Sequence, residues 1–545
     1  MSSAPSNGVR RPPVPVNEPI RNHAPGSPER AALKARLAAM DGECPDIPLV
    51  IGGKEIRTGD IARATAPHKH HHVTATYHKA RSGDVQAAIA AAVEAQKEWG
   101  TWRWEDRAAV FLKAAELLAT TRRTTINAST MLGQSKTVFQ AEIDAACELI
   151  DFWRFNCSFA GELYAEQPIS SSGTWNQTDY RGLEGFVYAV SPFNFTAIGG
   201  NLSGAPALMG CGVVWKPAST AVLSSWYVMQ TLMEAGLPPG VINFVPGDAT
   251  AISNQALVHP SLAGVHFTGS TAVFNSMWKT IGNHIGGYRT YPRIVGETGG
   301  KDFIVAHPSA DPAAVAVAIV RGGFEYQGQK CSAASRAYVP KSLWPAVRDQ
   351  AVAMMQDIRM GDVADFRNFM GAVIDQKAFG RISDYLADAK ANAKVLAGGG
   401  VRGEDGWFIE PTLIQTDDPS YRLLCEEIFG PVVTVFVYDD AKWTETLRIV
   451  DATSPYALTG AVFSRDRRAI HEAHALLRNA AGNFYVNDKP TGATVGQQPF
   501  GGARASGTND KAGSKLNLVR WASARTVKET FVPPTDFTYP FMAAE

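Results

Sequence analysis

The sequence has few cysteines, no excess of charge of either sign and no long apolar run. Its six cysteines lie far apart without a Cys-x-x-Cys pair, which is typical of a reducing compartment. The 52 basic and 52 acidic residues balance, so neither nucleic acid nor a membrane surface is an expected partner. No apolar run approaches the roughly 18 residues of a membrane span. We therefore expect a cytoplasmic protein that acts on a small solute.

The first thirty residues lack the apolar core of a secretory signal. They contain seven prolines, at positions 5, 12, 13, 15, 19, 25 and 28. So many prolines also interrupt an amphipathic transit helix. This N-terminal arm is therefore expected either to be disordered or to wrap along the surface of the protein.

Two stretches of the chain alternate short apolar runs with helical segments. The first has strands near 186–190, 212–215, 241–245 and 264–267, and the second extends from 303–306 to 483–487. This alternation predicts an α/β fold with two parallel sheets covered by helices on both faces. Earlier in the chain, helices are expected at 29–40, 83–99, 104–120 and 139–161, with a strand-turn-strand at 47–57. In 139–161, Glu142, Asp144 and Asp151 suggest a polar face.

The histidine tract at 68–72 is the one feature that suggests a metal. His68, His70, His71 and His72 have no Cys or carboxylate beside them, and such tracts are often solvated loops. We therefore expect no metal.

Cys331 lies among small and polar residues in the segment 327–335. Small neighbours leave room for a carbonyl beside a thiol and expose backbone N–H groups to an oxyanion. An inert, buried cysteine is the competing interpretation. Glu297 lies 34 residues earlier, beside Gly299 and Gly300. That interval allows Glu297 to meet Cys331 across one cleft as a general base, although a turn-forming glutamate is the alternative.

No Gly-x-Gly-x-x-Gly dinucleotide fingerprint follows the early strands. Two turns, 245–247 and 267–271, could still hold phosphates at a helix N-terminus, or they serve only as caps. Lys216 could reach a ribose or a phosphate, or be a solvated charge. Asn194 could donate to an oxyanion, or simply form a turn.

Six motifs in order resemble the aldehyde dehydrogenase superfamily over roughly residues 45–525. They are Phe193-Asn194, Trp215-Lys216-Pro217-Ala218, Phe267-Thr268-Gly269-Ser270, Glu297-x-Gly-Gly-Lys301, Gly328-Gln329-x-Cys331 and Glu426-Glu427-x-Phe429-Gly-Pro431. The segments 141–146 and 491–511 are similar to those of members that oxidise L-glutamate 5-semialdehyde and carry no fused proline dehydrogenase domain.

The resemblance implies an enzyme in which Cys331 attacks an aldehyde and forms a thiohemiacetal and then a thioester. Asn194 and the Cys331 backbone N–H would hold the oxyanion, and Glu297 would activate the hydrolytic water. The expected reaction is NAD-dependent oxidation of L-glutamate 5-semialdehyde to L-glutamate, the second step of proline degradation. Dehydrogenation of another acid semialdehyde, such as succinate semialdehyde, and a non-catalytic binding protein with this fold are the alternatives.

The resemblance also implies two sets of binding residues. For NAD they are Ser191, Pro192, Phe193, Lys216, Ser219, Gly247, Phe267, Thr268, Gly269, Ser270, Glu427 and Phe429. For the substrate they are Glu148, Phe195, Lys330, Ser332, Gly492, Ala493 and Phe500; plain core packing is the alternative for the two phenylalanines. Ser219 stands where the superfamily commonly has a glutamate that clasps the adenosine ribose, so use of NADP remains open.

The expected organisation is an arm at 1–45, an NAD-binding domain at 46–163 and 186–297, and a catalytic domain at 298–515. An oligomerisation hairpin and tail would occupy 164–185 and 516–545, in a homodimer or an assembly of dimers. The tail carries Phe531, Phe537, Tyr539 and Phe541. This apolar tail would either pack on its own domain or cover a neighbour's sheet edge.

Overall fold

The computed structural model describes residue 8 and residues 10–545 of the chain. Within these residues lie two sheets of seven strands each. Strand residues alternate between core clusters on the two faces of the first sheet: Val187 and Ala189 belong to one cluster, and Phe186 and Tyr188 to another. Both faces are thus covered, because successive side chains of a strand point to opposite sides. The predicted α/β class with two parallel sheets is confirmed.

The first sheet is parallel over its first five strands and antiparallel at its far edge. In spatial order its strands are Arg293–Glu297, Leu262–Thr268, Phe186–Val190, Gly212–Lys216, Ile242–Phe244, Leu49–Ile51 and Lys54–Ile56.

The second sheet is parallel except for its first strand. Its order is Lys394–Ala397, Thr412–Thr416, Val432–Tyr438, Ala334–Pro340, Asp302–Ala306, Thr459–Phe463 and Asn483–Val486. Smaller sheets pair Asp46–Ile47 and Ile61–Ala66 with Lys69–His78, Val401–Arg402 with Phe408–Ile409, and Tyr456–Ala457 with Ala503–Arg504.

The helices lie between and before these strands. They are Pro28–Asp41, Ser82–Trp99, Trp104–Ala119, Arg123–Gln134, Val138–Ala141, Leu149–Ala165, Thr196–Leu208, Val222–Ala235, Ala249–Ala256, Thr271–Asn283, Pro312–Phe324, Trp344–Asp357, Gln376–Asn392, Arg422–Cys425, Trp443–Ala452, Arg467–Leu476 and Lys515–Leu518. Among the described residues, no helix has the length and apolar character needed to cross a membrane.

The predicted helix 139–161 has a different middle. A π-helical segment, Glu142–Glu148, joins Val138–Ala141 to Leu149–Ala165. The expected polar face is wrong, because Glu142 and Asp144 are fully buried and Asp151 is nearly so. Their charges are compensated inside the protein: Arg123 pairs with Glu142, and Lys136 Nζ lies 2.6 Å from Asp144 Oδ2. Buried charges need such partners.

The histidine tract is not a loop. Its residues from Lys69 onward belong to the strand Lys69–His78, and the buried His68 ring lies 3.6 Å from Asp362. In residue 8 and residues 10–545, no group of three or more His, Cys, Asp or Glu side chains is placed to hold a metal.

The predicted hairpin at 164–185 is a single strand with a distant partner. Thr174–Gly182 pairs antiparallel with Ala522–Thr530, so that Thr174 faces Thr530 and Gly182 faces Ala522. Beyond this two-stranded flap, Phe531, Phe537, Tyr539 and Phe541 are each at least 60% exposed. The tail therefore does not pack on its own domain.

The arm follows the surface of the protein over residues 10–27, which we call the arm segment. Asn17 and Glu18 both bond to Asp151 of the helix Leu149–Ala165. Of the two predictions, disorder or surface wrapping, the second describes this segment; residues 1–7 and 9 lie outside the described residues.

Candidate active site

One cavity of about 540 Å³ contains both predicted reactive side chains, Cys331 and Glu297. Glu297 ends the strand Arg293–Glu297, at the carboxyl edge of the first sheet, and Cys331 precedes the strand Ala334–Pro340 of the second. The two sheets therefore face one another across this cleft. Gly300 allows the two loops to approach closely, because a Cβ at that position would clash with the Cys331 carbonyl oxygen.

The Cys331 side chain is half-buried and is a free cysteine. Burial raises its pKa well above the usual range, and the Glu297, Asp302 and Glu427 carboxylates act in the same direction. A hydrogen bond with the Ser332 backbone opposes the shift. Because the thiolate is the nucleophile, a nearby proton acceptor is needed at neutral pH.

Glu297 has the properties of that acceptor. Burial raises the pKa of its carboxyl to about 7, and the positive charge of Lys511 opposes the change. Its Oε1 is buried and has no hydrogen-bond partner among residue 8 and residues 10–545. A carboxylate with a pKa near neutrality and a free oxygen can take a proton from a thiol or from water.

Asn194 is not among the residues that line the cavity, but it contacts the loop that carries the thiol. It is buried, and its Nδ2 donates to the Gln329 carbonyl oxygen at 3.1 Å. This bond ties the amide to the backbone two residues before Cys331. A primary amide has two N–H donors, so one remains for an oxyanion.

The predicted substrate residues all line the cavity. They are Glu148, Phe195, Lys330, Ser332, Gly492, Ala493 and Phe500. Gly492 and Ala493 belong to a loop, residues 491–498, that we call the distal loop. Lys330 Nζ lies 3.1 Å from Glu325 Oε2, while burial and the nearby Asp144 raise the pKa of Glu148 well above its usual range.

Most of the predicted cofactor residues lie outside the cavity, where strands of the first sheet end. Ser191 follows Phe186–Val190, Lys216 ends Gly212–Lys216, Gly247 follows Ile242–Phe244 and Ser270 follows Leu262–Thr268. Ser219 begins a short helical turn, Ser219–Ala221, and is half-buried. Phe267 and Thr268 line the cavity itself. Carboxyl ends of parallel strands are where such sheets bind their ligands.

Lys216 is not a solvated charge. Its side chain is almost fully buried, and burial lowers its pKa to about 8, with Asp248 opposing the change. The two candidate phosphate turns also cap helices: the Asp248 carboxylate accepts from the Ala251 N–H, and the Ser270 hydroxyl accepts from the Val273 N–H. The Gly269 N–H donates to the Glu297 carbonyl oxygen.

Glu427 and Phe429 lie next to the Glu297–Cys331 cleft. The Gly300 N–H donates to Glu427 Oε1 at 3.0 Å. Gly299 makes this approach possible, because a Cβ at that position would lie only 2.4 Å from Glu427 Oε2. Phe429 packs edge-on against Phe193 with 5.8 Å between ring centroids. Pro192 is half-buried in the same loop as Phe193.

Sequence reasoning missed several residues of the cavity wall. Among them are Glu325, Lys489 and Thr491, and also Asn17 and Glu18 of the arm segment. Lys489 Nζ donates to the Thr491 carbonyl oxygen at 2.8 Å, which places a cation at the distal loop. Lys489 lies three residues before Gly492 in the sequence. Its closeness to this predicted substrate residue could have indicated that the lysine belongs to the cavity wall.

Comparison with known proteins agrees with this geometry. The aldehyde dehydrogenase family model matches residues 57–527. A Dictyostelium discoideum protein named delta-1-pyrroline-5-carboxylate dehydrogenase, mitochondrial, is 55% identical, over 97% of this chain and 96% of the relative. The human protein of that name is 50% identical, over 97% of this chain and 94% of its own length.

Two solved structures are similar over almost the whole chain. The Mycobacterium tuberculosis delta-pyrroline-5-carboxylate dehydrogenase bound with NAD has a TM-score of 0.95 at 52% identity, covering 99% of this chain and all of that one. The Thermus 1-pyrroline-5-carboxylate dehydrogenase with bound NAD has a TM-score of 0.89 at 32% identity, covering 97% of this chain and all of that one.

The predicted cytoplasmic location is wrong. The relatives from Dictyostelium, mouse and human are named as mitochondrial proteins, which contradicts it. The prediction relied on scattered cysteines, and these indicate a reducing environment without distinguishing one reducing compartment from another.

The predicted resemblance thus has three independent supports: the matched residues 57–527, relatives at about half identity over nearly the full length, and two structures of the same fold. This chain belongs to the aldehyde dehydrogenase family.

Proposed function

We propose that this protein oxidises L-glutamate 5-semialdehyde, the open form of pyrroline-5-carboxylate, to L-glutamate with NAD, in the second step of proline degradation. One observation carries the proposal: a single cavity joins Cys331 and Glu297 to the small residues of the distal loop and to the Lys489 cation beside it. That arrangement suits an aldehyde with a carboxylate at its far end. The names of the relatives from Dictyostelium and human point to the same substrate.

The first step would be attack of Cys331 on the aldehyde carbon. The thiol proton leaves as the sulfur–carbon bond forms, and Glu297, with its free Oε1 and its pKa of about 7, is placed to accept it. The carbonyl oxygen becomes an oxyanion. The second N–H of Asn194 and the Cys331 backbone N–H would stabilise that charge.

The residues at the sheet edge fit NAD. Lys216 is a buried cation at a strand end, suited to ribose hydroxyls or phosphate, and Glu427 is held by the Gly300 N–H where a ribose could be bound. Ser270 lies at a helix N-terminus, which favours phosphate. Bound NAD supplies the hydride acceptor that turns the thiohemiacetal into a thioester.

Glu297 would then act a second time, as the base for hydrolysis. After passing the thiol proton to solvent, Glu297 would take a proton from water, and the resulting hydroxide would attack the thioester carbon. The departing sulfur would take that proton from Glu297 and leave as the Cys331 thiol, while the product acid would lose its own proton to solvent and become the carboxylate. The free, buried Oε1 supports this role. Removing water from the carboxylate keeps its pKa high enough for it to act as a base.

The distal loop would recognise the amino-acid end of the substrate. Because Gly492 and Ala493 are small, their backbone N–H groups are exposed to the α-carboxylate. The Ser332 hydroxyl is close to them, since it is hydrogen-bonded to the adjacent Thr491 side chain. Phe195 and Phe500 would flank the aliphatic portion. Lys330 and Glu148 would complete the pocket wall.

The proposal is tested by kcat/KM for a panel of aldehydes with NAD. We expect kcat/KM to be higher for glutamate semialdehyde than for the other two aldehydes. Succinate semialdehyde lacks the α-amino group, and propanal lacks both the amino group and the carboxylate. A preference for succinate semialdehyde would favour the first alternative substrate instead. No NAD binding by calorimetry would favour a non-catalytic protein.

We also propose the predicted domain division and a homodimer or an assembly of dimers. The boundary near 298 is supported by the strands Arg293–Glu297 and Asp302–Ala306, which belong to different sheets. The two-stranded flap and its exposed aromatic tail offer an unpaired edge and apolar side chains to a second copy. Sedimentation of the full chain, and of a form ending at Thr530, tests this; a monomer in both would contradict it.

A further inference from the structure

The arm segment forms part of the cavity wall. Asn17, Glu18 and Ile20 line the same cavity as Cys331, although more than three hundred positions separate them in the sequence. The distal loop, including Gly492 and Ala493, lines the same cavity and contacts Asn17 directly. The arm segment thus borders the space where the distal end of a substrate would bind.

Asn17 connects two walls of the cavity. Its Nδ2 donates to Asp151 Oδ2 on the helix Leu149–Ala165 and to the Val495 carbonyl oxygen in the distal loop, both at 2.8 Å. Its Oδ1 accepts from Gln497 Nε2 at 2.9 Å. Both donors of the amide and its acceptor are therefore engaged, and the distal loop is held to the helix through one side chain.

At its first residue, Thr491, the distal loop is held by the Ser332 hydroxyl and by Lys489 Nζ, and the Val495 side chain is buried in a core cluster. The remaining hydrogen bonds of its turn are internal. The Thr494 carbonyl oxygen accepts from the backbone N–H groups of Gln497 and Gln498, and Gln498 Oε1 accepts from the Thr494 N–H. These contacts are local to residues 494–498. The bonds of Asn17 to Val495 and Gln497 attach this turn to the body of the protein beside Gly492 and Ala493.

Polar contacts, more than apolar burial, hold the arm segment in place. Val14 and Val16 are 88% and 72% exposed. Glu18 pairs with the buried Arg123 and with Arg154, and its backbone N–H donates to Asp151 Oδ1 at 2.7 Å. Hydrogen bonds and ion pairs are directional, so they fix the register in which Asn17 meets the loop.

We infer that Asn17 is a positioning residue that sets the distal loop in the conformation that binds the substrate's α-carboxylate. The inference rests on the proposed function, since it assigns Asn17 to the recognition of that carboxylate. It makes the arm segment a part of substrate recognition. Asn17 itself acts through the backbone of the loop and not on the reacting atoms.

The test compares Asn17→Ala with the wild-type full-length enzyme on two aldehydes, glutamate semialdehyde and propanal, which has no carboxylate. We expect KM for the semialdehyde to rise by about fivefold to tenfold, the scale of one or two lost hydrogen bonds, with little change in kcat. The kinetics with propanal and the KM for NAD should stay unchanged. Gln497→Ala should shift the same KM in the same direction by less.

Asn368→Ala is the matched control. The Asn368 side chain also donates to a backbone carbonyl at 2.8 Å, that of Asp362, but it does not line the cavity. This variant should leave both aldehydes unaffected. An equal loss on both aldehydes in Asn17→Ala, or no change in either, would overturn the inference alone. A wild-type enzyme without preference for the semialdehyde would overturn the proposed function as well.

Discussion

The Ser332 hydroxyl lies 2.8 Å from Thr491 Oγ1. Ser332 directly follows the proposed nucleophile, and Thr491 begins the distal loop, so this single bond joins the reacting end of the cavity to its recognition end. Both residues are buried. A direct contact between two loops therefore constrains the distance between the Cys331 sulfur and the backbone N–H groups proposed to bind the carboxylate.

Thr491→Val removes that bond while keeping the shape of the side chain. We expect KM for glutamate semialdehyde to rise by about fivefold, in line with one neutral hydrogen bond, with a smaller effect on kcat. Steady-state kinetics measure both. Thr434→Val is the control, because Thr434 Oγ1 is buried without a partner among the described residues. That change should leave the kinetics alone and be neutral or stabilising; equal kinetic losses in both variants would contradict the prediction.

Cys331→Ala should abolish NADH formation. Without the sulfur no thiohemiacetal forms, and loss of a nucleophile commonly lowers kcat by at least roughly a thousandfold. NAD binding by calorimetry should persist, because the proposed cofactor residues lie at the edge of the first sheet. Cys44→Ala is the control, since Cys44 is an exposed free cysteine. Undiminished turnover in Cys331→Ala would exclude the covalent mechanism.

The sheets were predictable because their strands are buried on both faces and so read as continuous apolar runs. The partner of Thr174–Gly182 was not, because Ala522–Thr530 lies more than three hundred residues away and no local pattern encodes the pairing. The contact between Asn17 and the distal loop was also not predictable, because its partners lie at opposite ends of the sequence.

Buried charges, like long-range contacts, could not be predicted from the sequence. Asp144 looks like a solvent-facing residue in the sequence, and only the folded chain shows Lys136 beside it. Cys331, Glu297 and the residues around Gly492 were predicted as site residues from motifs, since their spacing alone left each with a structural alternative. The cavity places these side chains together, which spacing could not establish.

Ser219→Glu should narrow cofactor use towards NAD. Ser219 begins the turn Ser219–Ala221, close in sequence to Lys216 at the strand end. A carboxylate there would repel a 2′-phosphate and accept a hydrogen bond from a 2′-hydroxyl. We expect the ratio of kcat/KM for NAD to that for NADP to rise by about tenfold or more, a difference of ~1.4 kcal/mol. Ser219→Ala should leave the ratio nearly unchanged; an unchanged ratio in Ser219→Glu would place the adenosine ribose elsewhere.

Because of Glu297, we expect kcat and the free energy of unfolding to change in opposite directions as pH changes. Its pKa is raised by burial to about 7, so below that pH the base is protonated, and kcat limited by thioester hydrolysis should fall by about tenfold per pH unit. In the same range the folded state keeps a proton that the unfolded state, with an ordinary glutamate pKa near ~4.3, has lost. The free energy of unfolding should therefore rise as pH falls from about 7 to about 4.5, and this contribution is lost as pH rises through 7.

Glu297→Gln separates the two responses. Loss of the proposed proton acceptor should slow thioester formation, but it should slow hydrolysis more, because water is a much weaker acid than a thiol. Rapid mixing should therefore show a slow burst of NADH, followed by a still slower steady rate of turnover. Its free energy of unfolding, measured by urea titration at several pH values, should lack the Glu297 contribution between about 4.5 and 7. Glu426→Gln is the control, since Glu426 is exposed and bonded to Tyr385 and Arg422. A variant with neither a burst nor a changed pH profile would show that another group activates the water.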